Sequence, residues 1–385
     1  MEQETVVIIV GAGPAGLAIS ACLNVHDIPN IVLEREDCIA SLWKKRTYDR
    51  LKLHLAKEFC QLPHMQFPSN APTFVSKNEF IKYLDDYTSH FNISPFYCRI
   101  VEYASFDVTS EKWHVLAKNG ISGEIENYCA KFLVVATGEN NQGFVPEIPG
   151  LDTFGGVVMH SNQYRNGENF FNKEVLVVGS GNSGMEIAYD LANWGANTSI
   201  VVRSPVHVFT KKMVQWGMNL LKFFPCEIVD KILVMLSKLR HGNLAKYGLE
   251  RPVKGPFFLK GKTGRSPVID VGTLKKIKAG EIKVLPAMNM IDGDYVEFAN
   301  GNKKKFEAIV FATGYKSTIK TWLMDGTSLF NEDGMPKKRK PDHWKGDNGL
   351  YCVGFSSSGL FGISKDAMNI AEDINSILEE EEKEG

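Results

Sequence analysis

Apolar and polar positions along the chain follow the same order twice. Near the N-terminus, an apolar run at 6–10, a helical segment at 16–25 and a second run at 31–34 predict strand, helix and strand. Apolar runs at 175–178 and 198–202, with a helical segment between them, repeat this pattern. Two βαβ units are therefore predicted, which is typical of doubly wound α/β folds.

Outside these units the pattern is less regular. Helices are predicted over 78–91 and 367–378, and an apolar stretch over 213–239 predicts further helix with a break near Pro225. Strands are predicted at 106–108, 113–117, 132–135, 268–270 and 310–312, the first three as an antiparallel meander. The stretch over 213–239 suits a substrate lid, with an ordinary core segment or a face resting on a membrane as open alternatives.

A glycine-rich turn links strand to helix in the first unit. It has the G-x-G-x-x-G spacing, in which the glycines allow a tight turn, close approach of a pyrophosphate and close packing of helix on strand. Glu34 ends the second strand, where an acid binds ribose hydroxyls. We expect this turn to bind the ADP half of FAD. The predicted FAD contacts here are Gly11, Gly13, Pro14, Ala15, Gly16, Glu34 and Arg35.

The second unit carries the same turn with one difference. Its second strand leads to Arg203 rather than to an acid, and a guanidinium can pair with the 2′-phosphate of NADPH through two hydrogen bonds. An ordinary surface arginine is the alternative, and Lys211 and Lys212 are further candidates for the same phosphate. We expect NADPH at this turn. The predicted contacts are Gly179, Gly181, Asn182, Ser183, Gly184, Arg203 and Ser204.

Two further segments follow predicted strands, where ligands of open α/β sheets bind. Thr137 and Gly138 are predicted FAD contacts. Predicted NADPH contacts are Ala312, Thr313, Gly314 and Tyr315. The predicted fold is α/β, with two Rossmann-like dinucleotide-binding domains and the NADPH domain inserted into the FAD domain. The predicted ranges are 1–168 and 300–385 for FAD and 169–299 for NADPH, with a helical insertion at about 207–265.

Composition narrows the class of protein. A hydrophobic content of 44% and a formal net charge of −1 over 385 residues describe a globular protein and argue against nucleic acid as a partner. No apolar run reaches the length of a transmembrane segment, and the first strand begins too early for a signal peptide, so a cytoplasmic location is expected. The seven cysteines are scattered, which excludes a C-x-x-C disulfide reductase and a clustered metal site.

A rarer pattern precedes the second glycine turn. Phe154, Gly156, His160, Tyr164 and Arg165 form the string F-x-G-x-x-x-H-x-x-x-Y-R. This string matches the identifying motif of flavin-containing monooxygenases, and the chain therefore resembles that family; related Baeyer–Villiger enzymes carry Trp where this chain has Tyr164. The resemblance implies that these residues form an interdomain clamp that helps to hold NADP⁺. No acid or base role is assigned to His160.

Within that family the chain resembles the plant YUCCA group over almost its whole length. The resemblance is carried by the segments 41–55, 59–63, 136–140, 266–272 and 311–315. It implies an enzyme that uses FAD, NADPH and O₂ to convert indole-3-pyruvate, a 2-oxo acid, into the auxin indole-3-acetic acid through a C4a-hydroperoxyflavin. It also implies that Leu42, Trp43 and His54 lie near the isoalloxazine of FAD, with plain core packing as the alternative for Trp43.

One departure from the YUCCA group bears on the substrate. Where the group usually carries a basic residue after a Gly-Phe pair, this chain has serines at 356–358. An N- or S-oxygenase acting on a small amine or sulfide is the alternative function. An NADPH oxidase that makes H₂O₂ and a non-enzymatic flavin-binding protein are rivals of other classes. Coupling of NADPH consumption to product separates oxygenase from oxidase, and reduction of the flavin by NADPH separates enzyme from binding protein.

Overall fold

The chain divides into two compact units. The computed structural model describes residues 2–356 and 358–384; Met1, Ser357 and Gly385, which the predicted ranges include, lie outside the described residues. Unit 1 comprises Met1–Lys45, Lys57–Gln142 and Tyr315–Gly385. Unit 2 comprises Arg46–Ala56 and Gly143–Gly314.

The regular elements alternate between strands and helices in both units. The helices are α1 (Pro14–Val25), α2 (Ser41–Lys45), α3 (Lys77–His90), α4 (Asn182–Asn193), α5 (Lys211–Leu220), α6 (Cys226–His241), α7 (Pro256–Thr263), α8 (Thr273–Lys278) and α9 (Leu360–Glu384). The strands are β1 (Glu2–Val10), β2 (Asn30–Leu33), β3 (Arg99–Asp107), β4 (Lys112–Asn119), β5 (Ile125–Val135), β6 (Gln142–Gly143), β7 (Val157–His160), β8 (Glu174–Val178), β9 (Asn197–Val201), β10 (Val208–Phe209), β11 (Val268–Ile269), β12 (Ile282–Leu285), β13 (Met288–Asp292), β14 (Tyr295–Phe298), β15 (Lys303–Lys305), β16 (Ala308–Phe311), β17 (Tyr315–Lys316) and β18 (Leu350–Cys352).

Unit 1 is built on a mixed sheet with the strand order β2-β1-β5-β4-β3. β1 pairs in parallel with β2 and β5, whereas β3, β4 and β5 form the predicted antiparallel meander, which is confirmed. β18 pairs in parallel with the end of β5. The central residues of β1, among them Ile8 and Ile9, are fully buried, as expected for a parallel strand covered on both faces.

Unit 2 contains a parallel sheet with the order β12-β9-β8-β16-β7. β13, β14 and β15 form a separate antiparallel sheet, and β10 pairs in parallel with β11. The stretch predicted as helix over 213–239 is α5 and α6, separated by residues 221–225. The predicted α/β class is confirmed.

The predicted domain ranges differ from this division at three places. Residues 143–168 belong to unit 2, and within them 157–160 form β7, which pairs with β16 in the sheet of that unit. Residues 46–56 also belong to unit 2, as do residues 300–314. The sequence pattern did not indicate these memberships because each depends on pairing with a distant segment. Which dinucleotide each unit binds stays a prediction.

Candidate functional site

The glycine turn of unit 1 is shaped by the backbone around it. Gly11 has φ +109°, and a Cβ there would lie 2.8 Å from the carbonyl oxygen of Ala136. A Cβ on Gly16 would lie 1.8 Å from the carbonyl oxygen of Gly11. A Cβ on Gly13 would meet no atom within 4 Å. Gly11 and Gly16 therefore serve the turn itself, whereas Gly13 leaves open space beside the backbone.

The N-terminus of α1 opens toward that space. Gly13 is its N-cap, no side chain caps the helix, and Pro14 occupies the first turn without an N–H group of its own. The remaining first-turn N–H groups and the positive end of the helix dipole favour an anion at this point. Ala15 and Gly16 are buried beneath it. The arrangement fits the pyrophosphate of a dinucleotide.

Glu34 lies beside the same turn with its side chain almost fully buried. Its Oε2 accepts a hydrogen bond from the Ala12 N–H at 2.7 Å, and its Oε1 accepts one from the Glu36 N–H at 3.0 Å. Burial raises the pKa of this carboxyl, and the two backbone donors oppose that shift. Each oxygen can accept a further hydrogen bond, as a ribose hydroxyl would supply. Arg35 Nε lies 3.9 Å from Glu36 Oε1, and its contact with FAD stays a prediction.

Two buried hydroxyls mark the ends of adjacent parallel strands in unit 1. Thr137 follows β5 and Ser356 follows β18, and these two strands are paired. Within the described residues, neither Thr137 Oγ1 nor Ser356 Oγ has a hydrogen-bond partner, although both are buried. Unpaired buried hydroxyls are costly unless a ligand or water satisfies them. Gly138 follows with φ +77° and open space around its Cβ position, so the residues present fit a flavin.

The remaining predicted FAD contacts, Leu42, Trp43 and His54, lie outside the glycine turn and the strand ends described above. Leu42 and Trp43 lie on α2 and are partly buried. The Trp43 ring packs edge-to-face on Phe80 at 4.6 Å, so part of its surface serves the core of unit 1. His54 belongs to unit 2. Contact of these three residues with the flavin stays a prediction.

Unit 2 contains a glycine turn with nearly the same backbone geometry. Gly179 has φ +115°, and its Cβ would lie 2.5 Å from the Ala312 carbonyl oxygen. A Cβ on Gly184 would lie 1.9 Å from the Gly179 carbonyl oxygen, and one on Gly181 would meet nothing within 4 Å. No side chain caps α4, whose N-cap is Gly181. This N-terminus is thus a second place suited to a pyrophosphate.

A cavity of about 650 Å³ in unit 2 opens at this second turn. Arg203 and Ser204, which follow β9, lie on its wall together with Arg265. Arg265 Nη2 lies 3.5 Å from Ser204 Oγ, and both arginines line the same cavity. Arg265 was not predicted from the sequence. The adjacent segment 266–272 carries part of the YUCCA resemblance, but no binding role followed from it. The lining includes Gly179, Gly181, Arg203, Ser204, Arg265, Ala312 and Thr313.

Other predicted NADPH contacts have structural partners inside unit 2. Asn182 donates from Nδ2 to the Pro267 carbonyl at 3.3 Å and accepts from the Ile269 N–H at 2.7 Å. Thr313 donates from Oγ1 to the Phe144 carbonyl, and the Phe144 N–H donates to the Gly314 carbonyl at 3.0 Å. Tyr315, by contrast, belongs to unit 1.

Lys211, a further candidate for the 2′-phosphate of NADPH, donates to a backbone carbonyl in the structure. Its Nζ donates to the Leu53 carbonyl at 3.3 Å, and burial lowers its pKa. Lys212 is exposed on α5. Neither lysine is among the residues that line the cavity.

All five motif residues lie in unit 2. Phe154 packs in its core, and a Cβ on Gly156 would lie 2.3 Å from the Glu307 carbonyl, next to the pairing of β7 with β16. His160 Nδ1 accepts from the Asn162 N–H at 3.3 Å, which leaves Nε2 to donate to the Gly314 carbonyl at 3.0 Å. Arg165 Nη1 donates to the Tyr164 carbonyl at 3.0 Å. The interdomain role predicted for this motif stays a prediction.

Tyr164 joins the motif to the helix behind the second glycine turn. Its hydroxyl donates to Asp190 Oδ2 of α4 at 2.7 Å, and both residues are buried. Burial raises the pKa of the Asp190 carboxyl, while the Tyr164 hydroxyl and the positive charge of Arg50 oppose the shift. The Tyr164 hydroxyl, Arg50 and the Gly167 backbone together favour the ionised carboxylate.

Tyr164→Phe is expected to lower the free energy of unfolding by about 1–3 kcal/mol at neutral pH, because the buried Asp190 carboxylate loses one of its hydrogen-bond donors. The folded-state pKa of Asp190 lies above its unfolded value, so its burial costs stability as the pH rises through that range. The loss should therefore shrink at acidic pH, to the extent that the carboxyl becomes protonated. Urea unfolding at both pH values measures it. Tyr295→Phe, at an exposed tyrosine, is the control, and an equal loss in both variants would contradict the assignment.

Residues 46–56 contact the same side of α4, where Arg50 Nη1 lies 4.0 Å from Asp190 Oδ1. His54 Nε2 lies 2.8 Å from Glu186 Oε1, and the Tyr48 hydroxyl hydrogen-bonds to Ser183 and Glu186. Glu186 is buried, so its charge is compensated within unit 2 by this segment. The Ser183 side chain is therefore tied to Tyr48 as well as lying in the first turn of α4.

The residues that the structure describes contain neither a metal-sized cluster of His, Cys, Asp and Glu side chains nor a helix that is both long and apolar enough to span a membrane.

Comparison with known proteins agrees with this geometry. The profile of the family described as flavin-binding monooxygenase-like matches residues 4–327. The chain is similar to the probable indole-3-pyruvate monooxygenase YUCCA10 of Arabidopsis thaliana, at 56% identity over 98% of each chain. It is also similar to the indole-3-pyruvate monooxygenase YUCCA1 of Oryza sativa subsp. japonica, at 46% identity over 96% of this chain and 91% of that protein. Its fold resembles a flavin-containing monooxygenase from Stenotrophomonas maltophilia, with a TM-score of 0.73 and 17% identity over 98% of this chain and 99% of that chain.

Proposed function

The chain belongs to the flavin-binding monooxygenase-like family, and from that premise we propose that it converts indole-3-pyruvate into indole-3-acetic acid with NADPH and O₂. The observation that carries the choice of substrate is the 56% identity to the Arabidopsis relative along 98% of both chains. The two glycine turns, each with an uncapped helix N-terminus, support the use of two dinucleotides in one chain.

Each unit would contribute separate groups to the reaction. In unit 1, the N-terminus of α1 would bind the pyrophosphate of FAD, Glu34 its ribose, and the Thr137 hydroxyl a polar atom of the flavin. In unit 2, the N-terminus of α4 would bind the pyrophosphate of NADPH and the two arginines its 2′-phosphate. When bound, the flavin supplies hydride acceptance from NADPH and activation of O₂.

The experiment that tests this proposal follows electrons and product together. The purified protein is reduced by NADPH without air and then exposed to O₂ with indole-3-pyruvate. We expect one molecule of indole-3-acetic acid and one of CO₂ for each NADPH consumed. NADPH consumption that yields only H₂O₂, with or without indole-3-pyruvate, would identify an oxidase instead. A flavin that NADPH does not reduce would contradict the proposal altogether.

A further inference from the structure

The helical segment of unit 2 is strongly basic. Residues 207–265 contain twelve lysines and arginines against three acidic residues, so this segment carries a formal charge of +9. The whole chain carries −1, so the remaining residues carry −10. A charge separation of this size within one chain favours association with a negatively charged surface.

Helix α6 is apolar on two sides. Val229 and Leu233 are buried and pack with α5 and β11. On a second line, Ile228, Met235 and Leu239 are exposed, with Leu239 at 76%. Ile232 continues this line, so apolar side chains recur at spacings of four, three and four residues. An amphipathic helix on a water-facing surface needs only the first of these two lines, so the second has no role within unit 2.

Aromatic side chains in the segments before α6 are exposed as well. Phe223 and Phe224 lie between α5 and α6, with Phe223 at 80% exposure, and Trp216 on α5 is also exposed. We call the six residues Trp216, Phe223, Phe224, Ile228, Met235 and Leu239 the exposed apolar face. Large apolar side chains that cluster in water mark a surface that is covered by something else.

Lysines border this face on both helices. Lys231 and Lys238 are exposed and seven residues apart, so they lie in one row beside the apolar line of α6. Lys212 is exposed four residues before Trp216 and so shares its side of α5. Bulky apolar residues with a rim of lysines are the pattern of a helix that lies in the interface of a bilayer with anionic lipids.

We propose that the exposed apolar face docks on the surface of an anionic lipid bilayer, with its aromatic side chains in the headgroup region and its lysines on lipid phosphates or carboxylates. The charge of +9 on residues 207–265 favours this partner over a neutral apolar one. The proposal concerns attachment to a membrane surface and is independent of the substrate proposed above.

Co-sedimentation of the full-length flavoprotein with vesicles tests the proposal. We expect binding to vesicles that contain phosphatidylserine, no binding to vesicles of phosphatidylcholine alone, and weaker binding as salt is raised. The double variant Phe223→Ser, Phe224→Ser should bind at least about tenfold more weakly, because two aromatic side chains no longer leave water. The double variant Lys231→Glu, Lys238→Glu should lose binding by about tenfold or more through reversed charge.

Matched controls separate this face from general effects. Ile121→Ser removes an apolar side chain that is 81% exposed in unit 1, and the double variant Lys118→Glu, Lys283→Glu reverses two exposed lysines outside residues 207–265. Both controls should bind like the unaltered protein, and all variants should keep its flavin content and melting temperature. Equal binding of all variants, equal binding to neutral vesicles, or no binding at all would overturn the proposal. Concentration-dependent dimerisation that Phe223→Ser, Phe224→Ser abolishes, without vesicle binding, would assign the face to a second copy instead.

Discussion

Gly13→Ala is expected to give a folded protein that is purified without flavin. The backbone at Gly13 has φ −73°, which alanine adopts freely, and a Cβ there would touch no protein atom within 4 Å. The new methyl group would instead occupy the space in front of the α1 N-terminus, where the pyrophosphate would lie. Visible absorbance of the purified protein measures the flavin retained, and circular dichroism reports the fold. A yellow Gly13→Ala protein with full flavin content would place the cofactor elsewhere.

Substitutions of two other glycines serve as comparisons for Gly13→Ala. Gly16→Ala should fail differently, because its Cβ would lie 1.8 Å from the Gly11 carbonyl oxygen and the turn itself would be disrupted. We therefore expect it to lose secondary structure or soluble yield as well as flavin. Gly181→Ala has the same open surroundings as Gly13→Ala but lies in unit 2. It should retain flavin and lose affinity for NADPH.

Removing both arginines from the cavity of unit 2 is expected to abolish the preference for NADPH over NADH. A hydrogen bond to a charged group contributes about 1.5–3 kcal/mol, so Arg203→Ala and Arg265→Ala should each raise the KM for NADPH by about tenfold or more. Because the two side chains line one cavity, their effects should not be independent, and the double variant is the decisive one. The KM for NADH should change by less than about twofold in each variant, since NADH has no 2′-phosphate.

A binding measurement makes the arginine prediction independent of turnover. The inhibitor 2′,5′-ADP should bind the double variant far more weakly than the unaltered protein, whereas 5′-ADP should bind both alike. Lys283→Ala, which removes an exposed cation that does not line the cavity, is the matched control. Parallel losses for 2′,5′-ADP and 5′-ADP would show that the arginines hold the loop rather than the phosphate.

The parts of the fold that the sequence predicted well are those with local signals. β1, α1, β2, β8, α4 and β9 were all recognisable because apolar periodicity and glycine spacing act within a few residues. The start of α9 at Leu360 was placed too late, because its first turn contains Gly362 and Ser364 rather than a regular apolar pattern. The helix as a whole packs against α1, and such tertiary contacts can override weak local propensity.

The position of a residue could not be predicted from the local sequence pattern where it depends on contacts between segments that are far apart in the chain. Arg265 reaches the cavity because β10 pairs with β11, and strands of two residues have no periodicity to detect. Glu186 and Asp190 are acidic residues four apart on α4, which on sequence alone indicate a solvent-facing side. They are buried because Tyr164 and residues 46–56 supply their partners from outside the helix.

The two units also differ in the point during translation at which all of their segments have been made. Unit 2 has all of its segments once residue 314 has left the ribosome, since Arg46–Ala56 is made before the rest of it. Unit 1 waits for β18 to pair with β5 and for α9 to pack against α1, and both come from the last residues of the chain. During synthesis, the sheet of unit 1 therefore lacks β18 at the stage when every segment of unit 2 is already available. A stop codon shortly after residue 314 would remove β18 and α9, and the sheet of unit 1 would permanently lack the strand that pairs with the end of β5.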